Sequence, residues 1–407
     1  MRSIRKLLKR KIKTEAIASD EQRNEYYENV SVRFGIAQVI LYLSLFAFVV
    51  LAFFANSNLI TYQNFYYFFK DLGATAEAVD IFNTDSVSYP TDEKQSFTLY
   101  RKGLAVAGNS SVTVFSATGR QIVSSTINYQ NPVAVGTGKY LLVYELGGTG
   151  YSLYNSNTQI HSGVSEYPIS GAAVSDSGMY ALVSSSSTHT SVVSLYSSRF
   201  AILNKYNLND YVMDVDIDAK GERLGILCSF ASNGAFSTRM RIAEPGKDQF
   251  RSEATIADGL GFSCAFTSSG RIAVICSGGV YYLSDRGKIE AEYQFDGFMP
   301  MLTDICGDGV TVTLKKNTIS EKNIVIVFDK NGKMVYNESI NGNIDQLSRS
   351  GASVFWTTAE GVWRLNLKNG TVQTIETITD QRVILAVSEN EVLSCSPKKA
   401  SYLEFSS

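Results

Sequence analysis

From about residue 95 onward, short apolar runs alternate with clusters of Gly, Asn, Asp and Ser, and no long helical period appears. One arrangement recurs: a strand, a tight turn usually ending in Gly, then a stronger apolar strand. It reads "LYRKGLAVAG" at Gly103, "VGTGKYLLVY" at Gly138, "VSDSGMYALV" at Gly178 and "IDAKGERLGIL" at Gly221. It continues as "FTSSGRIAVI" at Gly270, "ICGDGVTVTL" at Gly309, "LSRSGASVFW" at Gly351 and "VSENEVLSCS" at Asn390. Successive marker positions differ by 35, 40, 43, 49, 39, 42 and 39 residues. Gly adopts a left-handed backbone cheaply and Asn is next best, which predicts left-handed residues at these positions.

Hairpins such as "FDKNGKMVY" (Phe328–Tyr336) supply a third and fourth strand after each pair. Four short strands at a period near 40 predict the blades of a β-propeller. Eight units fit, spanning 96–129, 132–165, 169–208, 211–256, 260–296, 299–341, 344–379 and 381–405. A seven-bladed ring and a pair of β-sandwiches are the alternatives. The last unit has only three strands. "AEAVDIFN" (Ala76–Asn83) is expected to supply the fourth and close the ring across both ends of the domain 76–407.

The N-terminal part has another period. Phe34–Ala55, "FGIAQVILYLSLFAFVVLAFFA", is 22 residues without a charge. As a helix it is about 33 Å long, enough to cross the hydrocarbon core, with Phe34, Leu41, Leu45, Val50 and Ala55 along the anchor. A buried helix and a cleaved signal peptide are the alternatives, the second weakened by the lack of a small-x-small site. Residues 1–33 hold nine Lys/Arg against five Asp/Glu, and only Lys70 follows the span closely. That bias places residues 1–33 in the cytoplasm and 56–407 outside it, in a single-pass protein of the cell membrane. Residues 56–75 carry Tyr62, Phe65, Tyr66, Tyr67, Phe68 and Phe69, read as an aromatic collar at the headgroups or as a docking segment.

Composition narrows the chemistry. Net charge is −2, so nucleic acid is not an expected partner. His161 and His189 are the only histidines, too few for a multi-His metal centre or a convincing hydrolase triad. "GGTG" at Gly147 precedes no helix, so no phosphate cradle and no cofactor is expected. Asp214, Asp216 and Asp218 have the D-x-D-x-D spacing of a calcium loop, but Val215 and Ile217 make the segment a strand and no bidentate Glu follows. Cys264 and Cys276 lie six residues either side of Gly270, nearly opposite across one hairpin, so they form a candidate disulfide. The candidate binding loops join second to third strands: Ser184–Ser191 with His189, Ser229–Thr238 with Asn233, and Lys315–Asn323.

A basic tail, one span and an outward domain of "G-x-h-h-h" second strands resemble a clostridial-type family of unknown function. Its members are single-pass proteins with an extracytoplasmic propeller-like domain. The layout is more distantly similar to eight-bladed quinoprotein-like, WD40-like and envelope-assembly propellers. The adjacent-Cys ring, the repeated Trp docking motif and the lipid-attachment Cys of those groups are absent here, as are GH…WD pairs; Trp356 and Trp363 are the only tryptophans. The resemblance implies no activity and transfers no site residue.

Two functions follow from these readings. The first is a non-catalytic, membrane-anchored binding or scaffold module engaging another envelope protein or an extracellular ligand. The alternative is an extracytoplasmic enzyme, a quinone-dependent dehydrogenase or a glycan-acting hydrolase, using the channel carboxylates Asp214, Asp216 and Asp304.

Overall fold

In the computed structural model the described residues are 21–55, 86–155, 158–232, 234–256, 259–320, 322–376 and 381–406. They form two units, one N-terminal and one spanning Ala78–Ser407.

The first unit contains a helix, Glu21–Ala55, of 35 residues. Within it Val30–Phe48 is long and apolar enough to cross a membrane. Phe34, Leu41 and Leu45 are exposed, Val50 is half-buried, and Ala55 is the last helical residue. The helix starts before the expected span because "EQRNEYYENVSVR" contains no Gly or Pro to stop it.

The second unit is an eight-bladed β-propeller of eight four-stranded antiparallel sheets. Blades 1 to 7 occupy residues 95–126, 132–164, 169–208, 211–256, 261–294, 299–341 and 346–376. Blade 8 combines Val383–Ala386, Glu391–Cys395 and Lys399–Glu404 with Ser86–Ser88, which pairs antiparallel to the last of these. The closing strand is therefore "SVS"; the segment 76–83 expected in that role lies outside the described residues. The first strands of neighbouring blades touch in unbroken order, blade 8 returning to blade 1, and form the inner ring.

Each seam between neighbouring blades encloses one apolar cluster. Blades 1 and 2 share Tyr100, Val114 and Leu141; blades 4 and 5 share Leu227, Ile242 and Ile272; blades 8 and 1 share Val87, Leu104 and Leu393. A blade buries both of its faces in this way. Second strands such as Ile272–Cys276 and Gly309–Lys315 are accordingly buried at every position. Such runs lack the alternation of a half-solvated sheet.

Turn chemistry varies more than the repeat suggests. Gly178, Gly221, Gly270, Gly309 and Gly351 have positive φ, whereas Gly103, Gly138 and Asn390 do not. In blade 1 the left-handed residues are Arg101 and Lys102, the two central residues of a hairpin whose strands pair Tyr100 with Gly103. Gly103 is needed for space: a Cβ there would lie 2.1 Å from the Phe115 carbonyl oxygen. Asn390 serves through its side chain, accepting from Arg364 Nη2.

Ring closure depends on a three-residue strand whose central side chain, Val87, is buried between blades 8 and 1. Val87→Asp is expected to destabilise the propeller by on the order of 3 kcal/mol. Urea unfolding monitored by Trp356 and Trp363 fluorescence would measure the loss. An unchanged midpoint would show that closure does not depend on this strand.

Candidate functional site

Because the strands of a blade are antiparallel, the inner strand begins where the second ends, the third begins and the fourth ends. That side is termed the upper face. The lower face carries the turns between first and second, and between third and fourth, strands.

The lower face carries several paired charges. Arg223 bonds Asp218 at 2.9 Å; Arg251 bridges Glu244 and Asp285 at 2.7 and 2.6 Å; Lys368 meets Glu389 at 2.7 Å. A depression of about 580 Å³ lies here, lined by Glu222, Arg223, Glu244, Arg251 and Asp285 among others. Its arginines are already engaged by the carboxylates beside them.

The upper face differs. In four consecutive blades the inner strand has a β-bulge near its start. The register shifts fall between Ile169 and Gly171, Val212 and Asp214, Gly261 and Ser263, and Pro300 and Leu302. The extra residues are Ser170, Met213, Phe262 and Met301, and all four are exposed. Inner strands of blades 1, 2, 7 and 8 pair without such a shift. A bulge re-aims one side chain and leaves it out of the ladder. Here it turns Met213, Phe262 and Met301 outward on three adjacent blades. Tyr211 (68% exposed) and Met299 at the starts of the same strands extend the apolar arc.

Two projections flank the arc. In blade 4, Tyr211 pairs with Ser229 and Ile256 with Thr238, so the paired segments 230–232 and 235–237 continue past the sheet as a bare hairpin. The segment Ser229–Thr238, expected as a loop, is therefore mostly strand, and it presents Phe236, 62% exposed. Ser229 is buried in that strand, and Asn233 lies outside the described residues. At its base Arg239 and Arg241 share Asp210 (3.0 and 2.7 Å) and Glu253 (3.2 and 2.8 Å). Arg239 also covers the Phe230 ring at 4.2 Å. In blade 6 the loop after Lys315 carries Ile319, 89% exposed. Lys315 and Asn323 are buried fasteners of that loop: Lys315 Nζ donates to Asn343 Oδ1 (2.9 Å) and Asn323 Nδ2 to the Gly342 carbonyl (2.6 Å). In blade 3, Ser184 is buried at a strand end, and His189 Nδ1 bonds Thr188 Oγ1 at 2.9 Å. His161 stacks on Phe200 with centroids 4.4 Å apart, an aromatic rather than polar setting, and burial lowers its pKa.

The carboxylates on the inner ring join blades. Asp214 Oδ2 accepts from the Cys264 N–H and from Ser263 Oγ, both at 2.9 Å. Asp216 Oδ2 accepts from the Phe266 N–H at 2.7 Å, and Asp304 Oδ2 from the Arg349 N–H at 2.6 Å. In each case the donor belongs to the next blade's inner strand. Burial raises all three pKa values, to about 7 for Asp216 and about 6 for Asp304; the bonds they accept oppose the shift. Asp218 instead caps its own turn, accepting from the Glu222 and Arg223 N–H groups. Asp304 sits two blades away from Asp214 and Asp216. Among the described residues no group of three or more His, Cys, Asp or Glu is placed to hold a metal.

The proposed Cys264–Cys276 bridge is not formed; all five cysteines are free. Gly270 ends its turn rather than centring it, so Phe266 pairs with Ile272 and Cys264 with Val274, while the bulge puts Cys276 opposite Gly261.

These features define an eight-bladed β-propeller with an apolar arc on the upper side of blades 4 to 6, preceded by a helix that could be a membrane span or a signal sequence. The chain belongs to the Family of unknown function (DUF5711), whose profile matches residues 80–404. No curated protein matches it in sequence. It is similar in fold to Sqt1 of Chaetomium thermophilum, bound in that structure to the N-terminus of ribosomal protein L10. The TM-score is 0.51 and the identity 12%, covering 80% of this chain and 98% of that one. It is also similar to BamB from Moraxella catarrhalis, with a TM-score of 0.50 and 11% identity, covering 80% and 100%.

The thiol arrangement has a direct test. Cys228, Cys264, Cys276 and Cys395 are buried, and burial pushes Cys228 and Cys276 up to about 11 and Cys395 to about 12. Native protein is expected to react with a thiol reagent at half-buried Cys306 at most, and at all five positions after denaturation. A 264–276 disulfide peptide in a non-reducing digest would contradict the register.

Proposed function

We propose that this protein is a membrane-tethered, extracytoplasmic binding or scaffold module of the cell envelope that performs no catalysis. Its apolar upper arc engages another envelope protein. One observation carries the reading: bulges at equivalent positions in blades 4, 5 and 6 turn Met213, Phe262 and Met301 out of the core and into solvent. Exposed apolar residues grouped on one face mark interaction sites, and methionine adapts to irregular partners. The pairing of charges on the lower face supports the upper one as the binding side. A propeller of similar fold, Sqt1, is bound to a segment of another protein, which supports a protein as the kind of partner. The apolar helix and the basic residues before it support tethering with the propeller outside.

An enzyme using Asp214, Asp216 and Asp304 has less support, because these carboxylates are engaged with the backbone of the next blade.

A photo-crosslinking amino acid at Phe262 in cells should capture one discrete protein; the same probe at Arg286, on the lower face, should not. Met213→Ser with Met301→Ser should lower the Phe262 yield by about tenfold or more, as expected on removing central apolar anchors. No adduct from Phe262, or equal capture from Arg286, would overturn the proposal.

A further inference from the structure

The inner ring has two kinds of seam. Between blades 1 and 2 the Ala134 N–H donates to Ser96 Oγ, and between blades 7 and 8 the Ala386 N–H donates to Ser348 Oγ, both at 3.0 Å. Between blades 3 and 4 the Val212 N–H donates to Ser191 Oγ, also at 3.0 Å. Between blades 4 and 5, and between blades 6 and 7, the acceptors are instead the carboxylates of Asp214, Asp216 and Asp304. Each carboxylate seam involves at least one bulged blade, as does the hydroxyl seam between blades 3 and 4. Asp214 directly follows the bulged Met213, and its two cross-blade donors, Ser263 and Cys264, directly follow the bulged Phe262. This one carboxylate therefore ties two arc residues together.

We propose that the carboxylate seams are a proton-controlled clasp on the apolar arc, closed by protonation and loosened by ionisation, while the hydroxyl seams at Ser96, Ser191 and Ser348 hold regardless of pH. The inference concerns regulation of the surface assigned above and rests on that reading for its significance; the clasp itself is a property of the ring.

The physical cause is desolvation, which no cation offsets at Asp214 or Asp216 and which the Arg349 guanidinium offsets only in part at Asp304. Asp214 feels Tyr144 of blade 2 and Cys264 of blade 5; Asp216 faces Asp214 and Asp218 on its own strand and Cys264 across the seam. The nearby guanidinium of Arg223 is spent on Asp218 and on the Gly270 carbonyl. Asp304 has Arg349 beside it, with Cys306 opposing, and Arg349 also donates to the Phe328 carbonyl. In a closed seam the ionised carboxylate loses water that an open seam would restore, and the accepted N–H bonds recover only part of that loss. The closed-state pKa values of Asp216 and Asp304, about 7 and about 6, lie above the ordinary 3.8 that an opened, hydrated carboxyl would have. A raised closed-state pKa means that protonation favours closure. Closure is therefore strongest below about 4 and weakens as pH rises, through about 6 at one seam and about 7 at the other.

The test is amide hydrogen exchange on the full chain in detergent, corrected for intrinsic base catalysis, between pH 5 and pH 8. At the N–H groups of Phe266 and Arg349 the opening constant should rise about tenfold or more, the linkage of one pKa unit. At Ala134 and Ala386 it should stay constant. Asp304→Asn, and Asp214→Asn combined with Asp216→Asn, neutral side chains that still offer an acceptor oxygen, should each abolish the pH dependence at their own seam only. Equal pH dependence at all four amides, none at any, or its persistence in the Asn variants would overturn the clasp. Because the readout uses no partner, it stands or fails separately from the crosslinking result.

Discussion

The constraint on which this ring depends is the exposed edge of each blade's first strand. Every four-stranded sheet ends on the inside in a strand with one row of N–H and C=O groups unpaired, and eight such edges converge on one axis. Unmet, they would cost desolvation and invite association. The chain meets part of this need with side-chain acceptors that reach from one inner strand to the amides of the next: Ser96 to Ala134, Asp214 to Cys264, Asp216 to Phe266, Asp304 to Arg349, and Ser348 to Ala386. The apolar clusters hold blades face to face without direction. The seam bonds fix the register in which they meet.

Serine and aspartate are not equivalent answers to that need. A hydroxyl makes a modest neutral bond and keeps its state across the biological pH range. A carboxylate makes a stronger bond but carries a charge into a place water has left. A ring seeking stability alone would have little reason to place two carboxylates two residues apart on one half-buried edge. That it does so at the blades where the inner strands bulge ties the unfavourable choice to the unusual surface. Local departures concentrated at one site are an expected mark of function on a scaffold that elsewhere follows its repeat.

Much of this architecture was legible in the sequence. The period near 40 and the turn residues gave eight units whose limits differ from the observed blades by a few residues, because each blade solves the same local problem. What was missed follows from what a local pattern cannot contain. Ser86–Ser88 is too short to register as a strand and matters only through its partner more than 300 residues away. A bulge adds one residue without disturbing apolar composition, so nothing in the sequence marks Met213, Phe262 and Met301 as exposed. Asp214 and Asp216 lie at alternate positions of their strand, but the amides they serve are about 50 residues on, in a blade whose register the sequence does not contain. The error of two residues at Gly270 came from treating the left-handed Gly as the centre of its turn when it is the last residue. Such residues close turns because the left-handed step returns the chain to the ladder.

The arc also bears on how a propeller can be specific without a pocket. A concave site selects by shape. This surface is a series of side chains on separate blades, and on the proposed binding function its selectivity would come from their spacing around the ring. Spacing is set by how neighbouring inner strands are joined, and Asp214 joins two of them at the residues that follow the bulges. A change at that carboxylate would alter the distance between Met213 and Phe262 without touching either side chain. Recognition by such a face is therefore governed as much by the seams beneath it as by the residues on it, and the two should be read as one site.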